Sequence, residues 1–291
     1  MNEARNLENF PGNHPAVASK RRLKAWYTKV KRDLPWRASP SVYGTWLSEI
    51  MLQQTRMETG VPRWHAFMEE FPTVNDLAQA SEDQVMKAWE GLGYYRRARL
   101  LHAAAKEIVH RGGFPSTRVD WQSLPGIGDY TSAAIASIAF GEAVAAVDGN
   151  VQRVVSRLFA MDLPVDKGVG KRAIQAGADA LLDVEDPGTH NQAMMELGAL
   201  VCTPRNPQCE TCPFSSACSS SGNLDLCHTL PAKTPKKAPK EWRLSLDVFH
   251  HGEEVILVHR PGEGIWAGLW SFPESDPTAS AGHPMLDEPV R

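Results

Sequence analysis

No stretch of the 291 residues approaches the roughly twenty consecutive apolar positions of a membrane span. The opening MNEARNLENFPGNHPAVASK lacks the apolar core of a secretion signal. A cytoplasmic protein without membrane contact is expected. Cysteine is scarce, at five residues, and no oxidising compartment is indicated, so a disulfide framework does not carry the fold. No segment repeats at a fixed period, which removes solenoids and propellers. A surplus of charge is missing too: the formal net charge is −3, and 42% hydrophobic with 22% charged residues is ordinary globular composition. That balance hides an asymmetry. From Glu241 onward nine acidic residues face three basic ones, leaving residues 1–240 with a net of +3.

The basic residues are clustered. Lys20, Arg21, Arg22, Lys24, Lys29, Lys31, Arg32 and Arg37 lie near the start, and Arg96, Arg97 and Arg99 follow a Gly-Tyr-Tyr turn. Such runs are commonly solvated helix faces, and their value depends on what lies between them. Residues 1–18 have a disordered composition. From Leu23 to about Leu200 apolar residues recur at helical spacing, as in Trp46, Leu47, Ile50 and Met51, or Val151, Val154, Val155 and Leu158. Breaks fall at Pro or Gly, at Pro72, Gly91 to Gly93, Gly112 to Pro115 and Pro125 to Gly128. This predicts an all-α domain of short helices. Residues 222–241 are Ser-, Pro- and Lys-rich, the composition of a linker. Behind them, Arg243 to Phe249 and Val255 to His259 alternate around Gly252, which predicts a β-hairpin. The final SDPTASAGHPMLDEPVR has turn and disorder character.

Four cysteines, Cys202, Cys209, Cys212 and Cys218, stand in the spacing C-x6-C-x2-C-x5-C. Four thiolates converging from one short segment match a [4Fe-4S] cluster or a structural zinc ion. Cys227 lies outside that set and reads as a free surface thiol. LPGIGDYTSAAIASIAFG, residues 124–141, is a glycine hairpin feeding an apolar helix. Gly126 and Gly128 allow positive φ, and free N–H groups at the helix start form an anion site suited to a DNA phosphate; the alternative is a plain helix–helix turn. Asp129 is an awkward neighbour for a phosphate, so its carboxylate is expected to point away. Asp148 ends the run AVAAV and opens a helix, which makes it a helix N-cap or a carboxylate placed for chemistry. Glu49 lies in WLSEIMLQQT, and a carboxylate held against an apolar helix face favours its protonated form, as a general acid requires.

Taken in order, WLSEIMLQQT, GLGYYRRARLLH, LPGIGDYTSAAI, AVDGNVQRV, NQAMMELGALVC and the four-cysteine loop resemble the MutY-type adenine DNA glycosylases of the endonuclease III superfamily. The resemblance runs from about Trp36 to Cys218. It implies a mainly α, helix-hairpin-helix DNA glycosylase fold. Residues 37–149 would be a six-helix barrel, and residues 19–36 with 150–221 a cluster domain holding [4Fe-4S] rather than zinc. It also implies that Glu49 protonates a flipped adenine at N7. Asp148 would stabilise the oxocarbenium ion, electrostatically or by transient covalent capture, with Tyr130 and Asn150 assisting. Gln54 and Tyr94 match residues that wedge into the duplex, and nearby basic residues would neutralise phosphates. Where the endonuclease III branch has a Schiff-base lysine, this chain has Tyr130. A phenol forms no imine, so the resemblance implies hydrolysis to an abasic site. The implied partner is double-stranded DNA with adenine opposite 8-oxoguanine or guanine, bound by a monomer.

Residues 242–291 resemble the opening strands of a Nudix-like 8-oxoguanine recognition domain, which reads as incomplete, and no Nudix catalytic box is present. Competing readings are a glycosylase-lyase for oxidised pyrimidines, which Tyr130 and Glu49 oppose, and a DNA-binding iron–sulfur protein without catalysis, which the two carboxylates oppose.

Overall fold

Several helices start at a side chain that accepts a hydrogen bond from their first turn. The structure, a computed structural model, describes residues 14–235, 238, 244–262, 264 and 266–275. Its helices run in the order α1 (Lys20–Val30), α2 (Pro35–Ala38), α3 (Val42–Met51), α4 (Met57–Glu70), α5 (Val74–Gln79), α6 (Glu82–Ala88) and α7 (Arg96–His110). There follow α8 (Arg118–Gln122), α9 (Asp129–Phe140), α10 (Gly149–Leu158), α11 (Gly168–Leu181), α12 (Pro187–Leu200) and α13 (Leu224–Thr229). Ser41, Thr73, Ser81, Thr117, Asp148 and Asp186 each cap the helix that follows them. Gly141, at φ 72°, closes α9 in the left-handed region where glycine carries no steric penalty. Among the described residues no helix is long and apolar enough to cross a membrane.

Residues up to Thr234 form one compact unit with two apolar cores. The first joins Trp46, Leu47, Met51, Phe67, Trp89 and Trp121, from α3 to α8. The second joins Leu23, Val151, Val155, Leu158, Leu181, Leu197 and Phe214, from α1 and from α10 to the cysteine loop. Helix α9 packs on α3 on one side and α12 on the other. Its small residues Ala133, Ala134 and Ser137 make this approach possible, and a Cβ on Gly188 of α12 would come within 2.8 Å of the Ser137 carbonyl oxygen. Buried Asn191 of α12 donates to Ser137 Oγ and the Val144 carbonyl, both at 2.8 Å, and accepts from Ala146 N at 3.1 Å. One side chain thus fixes the extended segment that leads into Asp148.

Several sequence expectations are corrected here. Of the stretch 1–18 read as disordered, residues 1–13 lie outside the described residues. Pro15–Ser19 form a 3-10 turn with Ala16 fully buried. The linker expected at 222–241 does not begin there. Its first part forms α13, Arg157 donates to the carbonyls of Cys227 and Leu230 at 2.9 and 3.2 Å, and Val165 N donates to Ala232 O at 3.0 Å. Polar composition marked a connector, but backbone carbonyls taken up by a buried guanidinium pack it.

Residues from Pro235 form a second unit. Strands β1 (His250–His251) and β2 (Glu254–Val255) pair antiparallel around Gly252, where a turn was expected. The ladder is shorter than the alternation predicted. Strand β3 (Val258–His259) pairs with β4 (Trp270–Ser271), and Leu246 bridges to Glu274. The expectation for 276–291 lies outside the described residues.

Candidate active site

Helices α3 and α9 bring two side chains, 81 positions apart in sequence, into direct contact: the Tyr130 hydroxyl donates to Glu49 Oε2 at 2.5 Å. Glu49 faces a cleft of about 930 Å³ that also exposes Gln54, Tyr130, Asp148 and Asn150. Burial pushes the Glu49 pKa up to about 7. The Tyr130 hydrogen bond works against that rise, and the nearby charge of Asp148 adds to it. Burial, with the charges of Glu49 and Asp148, holds the Tyr130 phenol well above its usual range, so it stays a donor. Met195 Sδ lies 3.1 Å from the same hydroxyl.

Asp148 is an N-cap and a cleft carboxylate at once. Its Oδ1 accepts from Val151 N at 2.7 Å and its Oδ2 from the Asn150 amide at 2.8 Å. Burial raises its pKa, and these donors offset part of the rise by stabilising the ionised form. Asn150 is fixed in turn. Arg153 donates to Asn150 Oδ1 at 2.9 Å, to the Gly198 carbonyl at 2.8 Å and to the Cys202 carbonyl at 2.7 Å. A Cβ on Gly198 would stand 2.5 Å from Asn150 Cβ, so the crossing of α10 and α12 needs glycine there.

The opposite wall holds residues that sequence reasoning missed. Glu196, 1% exposed, accepts from Arg32 at 2.7 Å and Arg37 at 3.0 Å. Burial alone would raise its pKa, but the two guanidinium bonds outweigh that and pull it down to about 2. The signal that singled out Glu49, a carboxylate inside an apolar helical run, is also present in NQAMMELGAL. Arg32 and Arg37, from the basic cluster near the start of the chain, are committed to this carboxylate. Arg97 and Arg99 are likewise not free phosphate contacts: Arg97 is bound to backbone carbonyls and Arg99 pairs with Glu82 at 2.9 Å.

Gln54 and Tyr94 both adopt left-handed backbone, at φ 58° and 45°, and both are exposed, Tyr94 by 67%. Non-glycine residues held there store strain of about 1–3 kcal/mol each and concentrate at functional sites. In the hairpin, Gly126 has φ 76° and a Cβ on it would meet Leu100 at 2.7 Å. Gly128 differs from expectation: its φ is −98°, an ordinary extended N-cap, with open space where a Cβ would stand. Asp129 turns away, accepting from Gln122 at 2.7 Å.

Residues 47–174 match the HhH-GPD superfamily base excision DNA repair protein, and residues 202–218 the iron–sulfur binding domain of endonuclease III. The adenine DNA glycosylase of Homo sapiens is 38% identical over 306 residues, covering 86% of this chain and 56% of the relative. That of Schizosaccharomyces pombe is 34% identical and covers 86% of this chain and 68% of the relative. The chain belongs to the adenine DNA glycosylase family. It spans little more than half the length of the human relative. A solved thermostable thymine-DNA glycosylase is similar in fold, with a TM-score of 0.64 and 27% identity over 70% of this chain and 95% of that one.

This adenine DNA glycosylase family member has a cysteine loop with no α-helix between Cys202 and Cys218, only the 3-10 turns Cys209–Thr211 and Ser215–Ala217. All four thiols are part-buried and line one cavity with Arg157, whose Nη1 lies 3.5 Å from Cys202 Sγ. Among the described residues no three His, Cys, Asp or Glu side chains stand close enough to hold a single metal ion. Four thiols lining one cavity suit the iron–sulfur cluster of the domain that residues 202–218 match. Burial pushes the Cys212 thiol up to about 12 and that of Cys218 to about 11, and binding a metal there would take them as thiolates. Cys227 is not the surface thiol expected. It is 2% exposed and forms part of the same cavity wall, because α13 packs under the loop.

Proposed function

We propose that this chain hydrolyses the N-glycosidic bond of adenine mispaired with 8-oxoguanine or guanine in double-stranded DNA, acting as a monomer in base excision repair and leaving an abasic site. One observation carries the reading. A carboxyl whose pKa is pushed up to about 7 shares a hydrogen bond with a phenol in a cleft that also holds a second, differently solvated carboxylate. Two carboxyls in one cleft, one bonded to a phenol and the other to two N–H donors, can divide acid from base. In this reading residues 37–149 form the barrel, residues 19–36 with 150–221 form the cluster domain, and DNA lies along the cleft between them.

The adenine must leave the stack to reach Glu49. Glu49 gives its proton to N7, and the base departs neutral. Asp148, whose ionised form the Val151 N–H and the Asn150 amide favour against the effect of burial, faces the positive charge that develops on the sugar. The Glu49 carboxylate then accepts a proton from the water that adds to the sugar carbon, which restores the acid. Tyr130 orients Glu49 and supplies no amine, so the strand stays intact. Gln54 and Tyr94 wedge into the duplex on the strand opposite the adenine, and the N–H groups at Gly126 and Gly128 receive a phosphate. An iron–sulfur cluster on Cys202, Cys209, Cys212 and Cys218 would hold the loop in shape. Residues 242–291 belong in this reading to a Nudix-like lesion-recognition domain.

A duplex with adenine opposite 8-oxoguanine, treated with and without alkali, tests the proposal. Strand breaks only after alkali are expected. Breaks without alkali would mean a lyase, and none at all would mean binding without chemistry.

A further inference from the structure

Arg97 opens α7 and carries its charge inward. Its Nη1 donates to the carbonyls of Ile50, Met51 and Gln53 at 2.9, 3.0 and 2.7 Å. Its Nη2 donates to the carbonyls of Leu92 and Gly93 at 2.9 and 3.3 Å and contacts the Thr55 hydroxyl at 3.3 Å. The guanidinium carbon stands 5.3 Å from the Trp89 ring centroid and 5.8 Å from that of Tyr94. All six hydrogen-bond acceptors are neutral oxygens.

A guanidinium whose two terminal nitrogens bond five carbonyls and one hydroxyl, with Nε left unpartnered, is a knot in the backbone, and this knot joins two loops remote in sequence. One is the exit from α3, the helix that carries Glu49; the carbonyls of Ile50 and Met51 form its negative end, which favours a cation. The other is the Leu92–Gly93 turn. Each loop holds one exposed side chain on left-handed backbone, Gln54 in the first and Tyr94 in the second. Strain of that kind persists only where the surroundings over-determine it, and here both loops are determined by one side chain.

We propose that Arg97 is a positioning residue that makes Gln54 and Tyr94 a single two-pronged wedge, set at a fixed place relative to Glu49, so that adenine is driven from the helix into the cleft. The proposal rests on the reading of the chain as a base-extruding glycosylase. Arg97 touches neither base nor sugar, and its effect is on extrusion alone. Lysine in its place would keep the charge but, with one ammonium, reach one loop at a time.

The test compares wild type with Arg97→Met and Arg97→Lys on two DNAs of the same sequence, one with adenine paired opposite guanine and one with that adenine unpaired in an internal loop. Single-turnover release from the paired duplex should fall about a hundredfold in Arg97→Met, the scale of a 1 Å misplacement. Release of the unpaired adenine should stay within about threefold, because no extrusion is needed there. Arg97→Lys should show the same selectivity with a smaller loss, and it decides the question if Arg97→Met fails to fold. A duplex carrying 2-aminopurine at the target position should brighten with wild type and stay dark with the variants at saturating protein. An equal fall on both DNAs, no fall, or undiminished brightening would overturn the proposal. A wild type that brightens the probe but releases no adenine would sink the glycosylase reading and leave Arg97 as the wedge anchor.

Discussion

Glu49 projects from a helix whose neighbouring residues Trp46, Leu47, Ile50 and Met51 are all buried. Its proton is therefore held by the surrounding apolar bulk, and its release is timed by one phenol. With a pKa of about 7, the acid form is complete at lower pH and disappears as pH rises through that value. Adenine release under single-turnover conditions should fall across the same window. At the other end it should fall as Asp148 takes up a proton, giving a bell. Glu49→Gln should lose adenine release by roughly 10²–10⁴-fold, the range of a missing general acid, while duplex binding survives. Tyr130→Phe removes a hydrogen bond that favours the carboxylate, so the alkaline limb should move to higher pH. A limb that stays in place would show that the phenol does not govern the proton.

Between elements, the decisive contact is the crossing of α10 and α12. Glycine inside a helix ordinarily costs stability, yet at Gly198 it lets the backbone of α12 lie against Asn150, whose amide holds Asp148. Gly198→Ala should cost about 1–3 kcal/mol as an overpacked contact, measurable by denaturant unfolding. It should also shift the acid limb of the rate profile, because Asp148 loses its amide donor. Stability loss with an unchanged profile would mean that Asn150 does not act through Asp148. The cysteine loop sets the other element-scale expectation. It has only two 3-10 turns to order it, so purified protein should carry iron and an iron–sulfur colour, which zinc, a d10 ion, cannot give. Stripping the iron should open residues 202–227 to protease; about one zinc and no iron per chain would overturn the cluster assignment.

At the scale of the whole molecule, the charge asymmetry follows the unit boundary only in part: residues 1–234 carry a net charge of 0 and residues 235–291 a net charge of −3. The second unit, in its described part, offers two two-stranded ladders of two residues per strand, with Leu244, Val248, Val255, Trp266 and Trp270 exposed. Ladders of that size have little stability of their own. A chain of these 291 residues should therefore release adenine opposite both 8-oxoguanine and guanine, with only a small preference for the lesion. Rates and affinities for both mispairs, measured for this chain and again with residues 242–291 removed, check this; a preference for the lesion that is large in the chain and lost on removal would refute it.

Much of this molecule could be read along the chain, because the features concerned are local. The thiolate spacing, the glycine turn at Gly126, the cap at Asp148, and the 3.6-residue apolar period each depend on neighbours a few positions away. Contacts that close over long separations could not be read. Glu49 meets Tyr130 from another helix, and Glu196 gathers Arg32 and Arg37 from 164 and 159 positions away. Arg97 spends its charge on carbonyls that no residue pattern announces, and Cys227 is buried because a segment of linker composition folds beneath a metal loop. Side-chain chemistry fixes what a residue can do locally. Which partner meets it, and how much water remains there, is settled only when α3, α9, α10 and α12 pack together.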